Sequence, residues 1–133
     1  MYQGDIQQTV LVVEDEALIR MSTVGSLEDA GLCVLEAGNS AEAIALMARH
    51  AEISVMVTDV RMPGAMDGLA LVSRVCRDHP VIRAIVVSAN TTAAQAYKSG
   101  AAEFIAKPYL TDKLVGAVLG LVPHNQAPLG FVA

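Results

Sequence analysis

In the stretch VLVVEDEALIR, four aliphatic residues run straight into Glu14, Asp15 and Glu16. Carboxylates repel one another and are costly to desolvate, so a packed core gains nothing from three of them together. Asp15 or Glu16 alone could open a helix, where an acid complements the dipole. That leaves the remaining acids without a purpose. Three more polar residues occupy matching places later in the chain: Asp59 after ISVMVT, Ser88 within AIVVSA and Lys107 after EFIA. Singly they read as a turn acid, a strand-end hydroxyl and a solvated loop lysine. As a set they define a chemistry. Hard carboxylate oxygens suit Mg²⁺ (or Mn²⁺), and Mg²⁺ keeps several waters and takes few protein ligands. A divalent cation, an ammonium and a hydroxyl around one carboxylate meet the needs of a transferring phosphoryl group. An aspartate can itself be the nucleophile, giving an acyl phosphate.

Such a set needs elements that deliver every member to one place. Five short apolar runs alternate with segments of helical pattern: VLVV from Val10, CVLEA from Cys33, ISVMVT from Ile53, AIVVSA from Ala84 and EFIA from Glu103. The runs are too short for confident helices, and several are rich in β-branched residues. Between them, helices are expected over Glu16 to Ala30, ending at Gly31, and from an Asn39 or Ser40 cap to His50. Further helices are expected over Gly68 to Asp78, Thr91 to Ser99, and from a Thr111 cap to about Leu121. This alternation implies an α/β fold with a doubly wound five-stranded parallel sheet, order 2-1-3-4-5, two helices on one face and three on the other. In such sheets the active crevice lies at the carboxyl ends of the strands, where Glu14, Asp15, Asp59, Ser88 and Lys107 all fall.

The bulk properties agree. At 133 residues the chain fits one domain, and 53% hydrophobic composition suits a sheet buried on both faces. A net charge of −5 argues against a general nucleic-acid surface. Cys33 and Cys76 form no C-x-x-C pair and read as buried thiols of a reducing compartment. No apolar run approaches the roughly 20 residues of a membrane span, and the N-terminus lacks signal-peptide features. A cytoplasmic protein without membrane or nucleic-acid partners is expected. The anticipated division is an extension over 1–8, a domain over 9–121 and a flexible tail over 122–133.

From about Thr9 to Leu121 the sequence resembles the receiver domain of two-component response regulators, through VLVVEDE, VTDVRMPGAMDG, VVSA and GAAEFIAKPY. The resemblance implies a flavodoxin-like (βα)5 fold and phosphorylation rather than turnover: a signalling domain that assists its own Mg²⁺-dependent phosphorylation and dephosphorylation. It implies Asp59 as phosphoacceptor, Asp15 as a direct metal ligand and Glu14 as an acid acting through metal-bound water. Arg61 would lend its backbone carbonyl to the metal. Lys107 would contact the phosphoryl group, Ser88 and Phe104 would act as switch residues, and Lys107–Pro108 would be cis. The implied partner is a sensor histidine kinase or histidine phosphotransfer protein. Because the chain ends soon after the fifth helix, a stand-alone, chemotaxis-regulator-like receiver is expected, signalling by protein contacts, relaying phosphate or acting as a phosphate sink.

Several positions depart from the commonest family pattern. The loop RMPGAMDG is one residue longer, Glu14 replaces an aspartate, Ser88 a threonine and Phe104 a tyrosine. Arg61 and Asn90 are candidates for tuning phosphate lifetime. Two rival classes are weaker. A flavodoxin-like cofactor binder would want a hydroxyl-rich phosphate loop where the acids stand, and aromatics for stacking, in a chain without Trp. A haloacid-dehalogenase-type phosphatase would need an acid two residues after Asp59, where Arg61 stands. In the first helix, at about 100° per residue, Ala17, Met21 and Val24 share one face flanked by Leu18 and Leu27. Ile19 then points to solvent beside the acidic mouth and is expected to contribute to kinase docking.

Overall fold

The structure, a computed structural model, describes residues 9–123. The proposed extension over 1–8 and most of the proposed tail, 124–133, lie outside the described residues. Five strands, β1 (Thr9–Val13), β2 (Cys33–Ala37), β3 (Ile53–Asp59), β4 (Arg83–Ser88) and β5 (Glu103–Ala106), alternate with five helices. The helices are α1 (Ala17–Asp29), α2 (Ser40–Arg49), α3 (Gly68–Asp78), α4 (Ala93–Ser99) and α5 (Thr111–Leu121). The strands pair in parallel in the order β2-β1-β3-β4-β5, as expected.

Why these runs become strands is visible in where they point. Along β1 and β4, alternate side chains enter two separate cores. Leu11, Val13, Ala84 and Val86 pack beneath α2, α3 and α4, whereas Val10, Val12, Ile85 and Val87 pack beneath α1 and α5. All five residues of β1 are buried. That double burial explains the near-continuous apolar runs, and it puts three helices on one face and two on the other.

Local chemistry sets the helix ends. Asn39 caps α2 through its side chain, accepting the Glu42 N–H at 2.9 Å. Thr92 caps α4 in a reciprocal box with Gln95, so the helix expected from Thr91 begins at Ala93. Gly31 and Gly100 follow their helices with positive φ, 92° and 112°. Thr111 is a correction: it is the first helical residue of α5, and Leu110 occupies the cap without a side-chain bond.

The inward face of α1 also differs from expectation. Val24 and Leu27 are buried as expected, but Ala17, Leu18 and Met21 face solvent, Leu18 at 81% and Met21 at 63% exposure. The stripe that meets the sheet is Arg20, Thr23, Val24 and Leu27, regular helical spacing about a quarter-turn from the most apolar one.

Candidate functional site

At the end of β1, the chain must leave the sheet and start α1 within three residues. Glu14 remains tied to the sheet, its N–H donating to the Ala37 carbonyl at 3.0 Å. Its carboxylate turns back to accept the Glu16 N–H at 3.1 Å. Glu16 is the N-cap of α1 but makes no side-chain cap bond, so helix opening does not account for the acids. Glu14 is only 6% exposed. Burial pushes its carboxyl above the usual glutamate range, and neighbouring Asp59 and Asp15 push the same way against the Glu16 N–H and Lys107. Asp15, one residue on, is exposed at the mouth.

Asp59 closes β3, the central strand, and its side chain follows Val55 and Val57 toward the α1–α5 face. One carboxylate oxygen accepts its neighbour Val60's N–H at 2.6 Å. The other receives the Lys107 ammonium at 2.7 Å, delivered from the end of β5 on the same face. Lys107 also lies 3.7 Å from Glu14. Burial works against that ammonium, but the bond to Asp59 and the charges of Asp59 and Glu14 hold its pKa above the ordinary lysine value. Three strand ends therefore converge on one charged cluster. The Lys107–Pro108 bond is cis.

Ser88 and Phe104 lie on the other face. Ser88 is 3% exposed and its hydroxyl oxygen accepts the N–H groups of Asn90 and Thr91 at 3.1 and 3.2 Å. Phe104 pairs with Val86 across β4 and β5, two residues before Ser88, and packs half-buried against the α2–α4 core. The two are diagonal neighbours on adjacent strands.

Beyond Asp59 the loop of residues 60–67 borders an open cleft of about 440 Å³, lined by Asp15, Arg61, Met62 and Asp67. Asp67 caps α3 by accepting the Ala70 N–H at 2.9 Å. The next residue, Gly68, was not singled out from the sequence. Its N–H donates to the Val60 carbonyl at 2.8 Å. A side-chain carbon there would overlap the Asp59 carbonyl oxygen and stand 2.8 Å from both the Asp59 carbonyl carbon and Val60 Cα. Gly68 is what lets α3 begin directly against the backbone of Asp59. Arg20 was also missed, because its partners, Glu36 and the Glu14 carbonyl, are brought near only by the fold.

The donor set fits a divalent cation with few protein ligands. No group of three or more His, Cys, Asp or Glu residues converges as a complete cage among the described residues. What is present is a buried carboxylate whose pKa is raised first by burial and further by repulsion from the charge of Asp59, an exposed aspartate beside it, and one lysine as counter-charge. A small, mostly hydrated cation would relieve that repulsion, in the way Mg²⁺ is bound elsewhere.

Ile19 stands beside this cluster, 37% exposed. It lines a small cavity shared with Glu14, Asp59, Lys107 and Tyr109, and a shallow groove of about 470 Å³ with Ala89, Lys107, Pro108 and Tyr109. Among the described residues no helix is long and apolar enough to cross a membrane.

The fold agrees with comparison to known proteins. The family model for the response regulator receiver domain matches residues 10–119. The DNA-binding transcriptional regulator NtrC of Escherichia coli K12 is 35% identical over 120 residues, covering 88% of this chain and 25% of that protein. A putative NtrX-like response regulator of Rickettsia conorii is 34% identical over 113 residues, 82% of this chain and 24% of that one. The chain thus spans about a quarter of the length of these curated relatives. Among solved structures, the receiver domain of NtrX from Brucella abortus superposes with a TM-score of 0.78 at 30% identity, covering 84% of this chain and 96% of that one. A CheY-like receiver domain protein of Methanospirillum hungatei gives 0.79 at 23% identity, over 86% and 92% of the two chains, a likeness of fold. The chain belongs to the response regulator receiver domain family of two-component systems.

Proposed function

We propose that this receiver domain accepts a phosphoryl group on Asp59 from a phosphohistidine donor. The reading rests most on the Asp59 carboxylate, held at the mouth of the central strand 2.7 Å from the Lys107 ammonium and flanked by Glu14 and Asp15. In the transfer an Asp59 oxygen attacks phosphorus. The new O–P bond forms as the P–N bond breaks, and the electron pair stays on the imidazole nitrogen, which is protonated from solvent. Lys107 is already placed to follow the negative charge from the carboxylate to a phosphoryl oxygen. Receiver domains bind Mg²⁺ for phosphorylation, and here Asp15, Asp59 and the Arg61 carbonyl would hold it, with Glu14 acting through a bound water. The ion supplies charge neutralisation at the phosphoryl oxygens. Labelling by acetyl phosphate should require Mg²⁺ (or Mn²⁺) and be abolished by EDTA, and a label unaffected by chelation would refute the site. The phosphatase alternative lacks its second acid, since Arg61 stands two residues after Asp59.

The response is proposed to run through Ser88 and Phe104. A phosphoryl oxygen at Asp59 draws the Ser88 hydroxyl away from the Asn90 and Thr91 amides, and Phe104 repacks in the space released. Backbone NMR shifts on phosphorylation should then extend from the Asp59 loop into α4, β5 and α5. Shifts confined to the loop would contradict the switch.

Docking of the kinase is proposed on α1. Ile19, 37% exposed, borders the mouth. Tyr109 and Pro108 complete the adjoining groove. Ile19→Asp should slow transfer from a histidine kinase or histidine phosphotransfer protein about 30-fold, the effect of losing about 2 kcal/mol at a contact centre. Acetyl phosphate labelling should keep its rate. Equal slowing with both donors would mean the site itself was disturbed, and no slowing with either would move docking elsewhere. For the output, protein contact, relay and phosphate sink all use this same chemistry. The likeness to NtrC favours a further role in transcriptional control, exerted by contact with a DNA-binding region rather than by this acidic domain touching DNA.

A further inference from the structure

Arg20 lies on the inward stripe of α1, its side chain only 22% exposed, and its guanidinium bridges two strands. Nη1 donates to the Glu14 carbonyl oxygen at 2.7 Å. Nε donates to Glu36 Oε1, on β2, at 2.9 Å. A Cβ on Gly38 would stand 3.5 Å from Nη1, so the guanidinium fills the space up to the β2–α2 turn. Glu14 is consequently fixed at every polar group of its backbone. Its N–H is bonded to Ala37, its carbonyl to Arg20, and one carboxylate oxygen to the Glu16 N–H. The peptide joining Glu14 to Asp15 has one orientation, and with it the direction in which Asp15 leaves the strand.

The charge of Arg20 argues the other way. A guanidinium next to acids that bind a cation opposes that cation, and only its pairing with Glu36 offsets this. Charge alone predicts tighter metal binding when Arg20 is removed, whereas geometry predicts weaker binding. Resting on the receiver-site reading above, we infer that Arg20 is a positioning residue for the metal-binding acids. It holds the Glu14–Asp15 peptide in the geometry a divalent ion requires, with Glu36 as its counter-charge.

Mn²⁺ serves as the probe, its free concentration read from the electron paramagnetic resonance signal of the aqueous ion against the full, metal-stripped chain. Arg20→Met should weaken Mn²⁺ binding about tenfold or more, the usual scale for losing a group that orients a ligand. That loss should persist at high salt, because a geometric defect is not screened. Arg20→Lys should recover part of the affinity, since an ammonium can reach one partner but not both. Glu36→Gln should weaken binding at low salt and approach wild type at high salt. Unchanged or tighter binding by Arg20→Met, folded as judged by melting in EDTA, would overturn the role and leave only a charge effect. Should Arg20→Met not fold, Arg20→Lys and Glu36→Gln decide, and wild-type affinity in both would overturn it. A wild-type chain that binds no Mn²⁺ would overturn the receiver site itself, and this role with it.

Discussion

Asp59→Asn is expected to reduce labelling from every phosphodonor to background while leaving the fold intact. Asparagine keeps the shape of the side chain and the oxygen that accepts the Val60 N–H, currently bonded at 2.6 Å. It loses the anionic oxygen that would attack phosphorus. The atom facing Lys107 becomes an amide NH2, a donor to which an ammonium cannot donate, so the 2.7 Å contact is lost, while the repulsion between this position and buried Glu14 disappears. These changes oppose each other, so stability should move by no more than about 1 kcal/mol. Thermal melting with a labelling time course checks both halves. An acid-stable, base-labile label forming on Asp59→Asn at the wild-type rate would shift the nucleophile to another acid of the cleft, Asp15 or Asp67.

Gly68→Ala should be the most damaging single-methyl change near the site. The added carbon would overlap the Asp59 carbonyl oxygen and crowd Val60 Cα at 2.8 Å. The obstructing atoms are backbone, not the far end of a flexible side chain. Either β3 or the start of α3 must shift. Overpacking of this kind costs about 1–3 kcal/mol even where side chains can yield, and the upper end or more is expected here. Because the shift moves the carbonyl of Asp59 itself, labelling should fall beyond what the lowered melting temperature explains. A normal melting temperature and labelling rate would show that the start of α3 is looser than this packing implies.

What was legible in the sequence follows from which forces are local. Double burial of β1, β3 and β4 writes itself as short aliphatic runs, so strand positions and the residues at their carboxyl ends could be read directly. That is why Glu14, Asp59 and Ser88 could be assigned to strand carboxyl ends from the sequence. The inward face of α1 could not be read in the same way. Its apolar residues are spread around the helix, and the sheet chose the stripe containing Arg20, whose polar end is satisfied by Glu36 and the Glu14 carbonyl. Leu18 and Met21, the better hydrophobes, were left outside. Periodicity gives the shape of a stripe, but its partner decides which stripe is buried. Gly68 was hidden for a related reason. In sequence it only opens the expected helix over Gly68 to Asp78, and the approach of α3 to the Asp59 backbone is what makes its missing side chain a requirement. Thr111 was offered as a cap by type, and the chain instead starts α5 one residue after Leu110.

The central claim is that one carboxylate, fixed by the convergence of three strand ends, carries the phosphoryl group. Borohydride reduction of the freshly phosphorylated chain converts an aspartyl phosphate to homoserine, and peptide mass spectrometry locates it. With acetyl phosphate and Mg²⁺, homoserine is expected at Asp59 alone, and none after EDTA. Homoserine at Asp15, Asp67 or any other aspartate, or at Asp59 to the same extent without a divalent ion, would contradict the account.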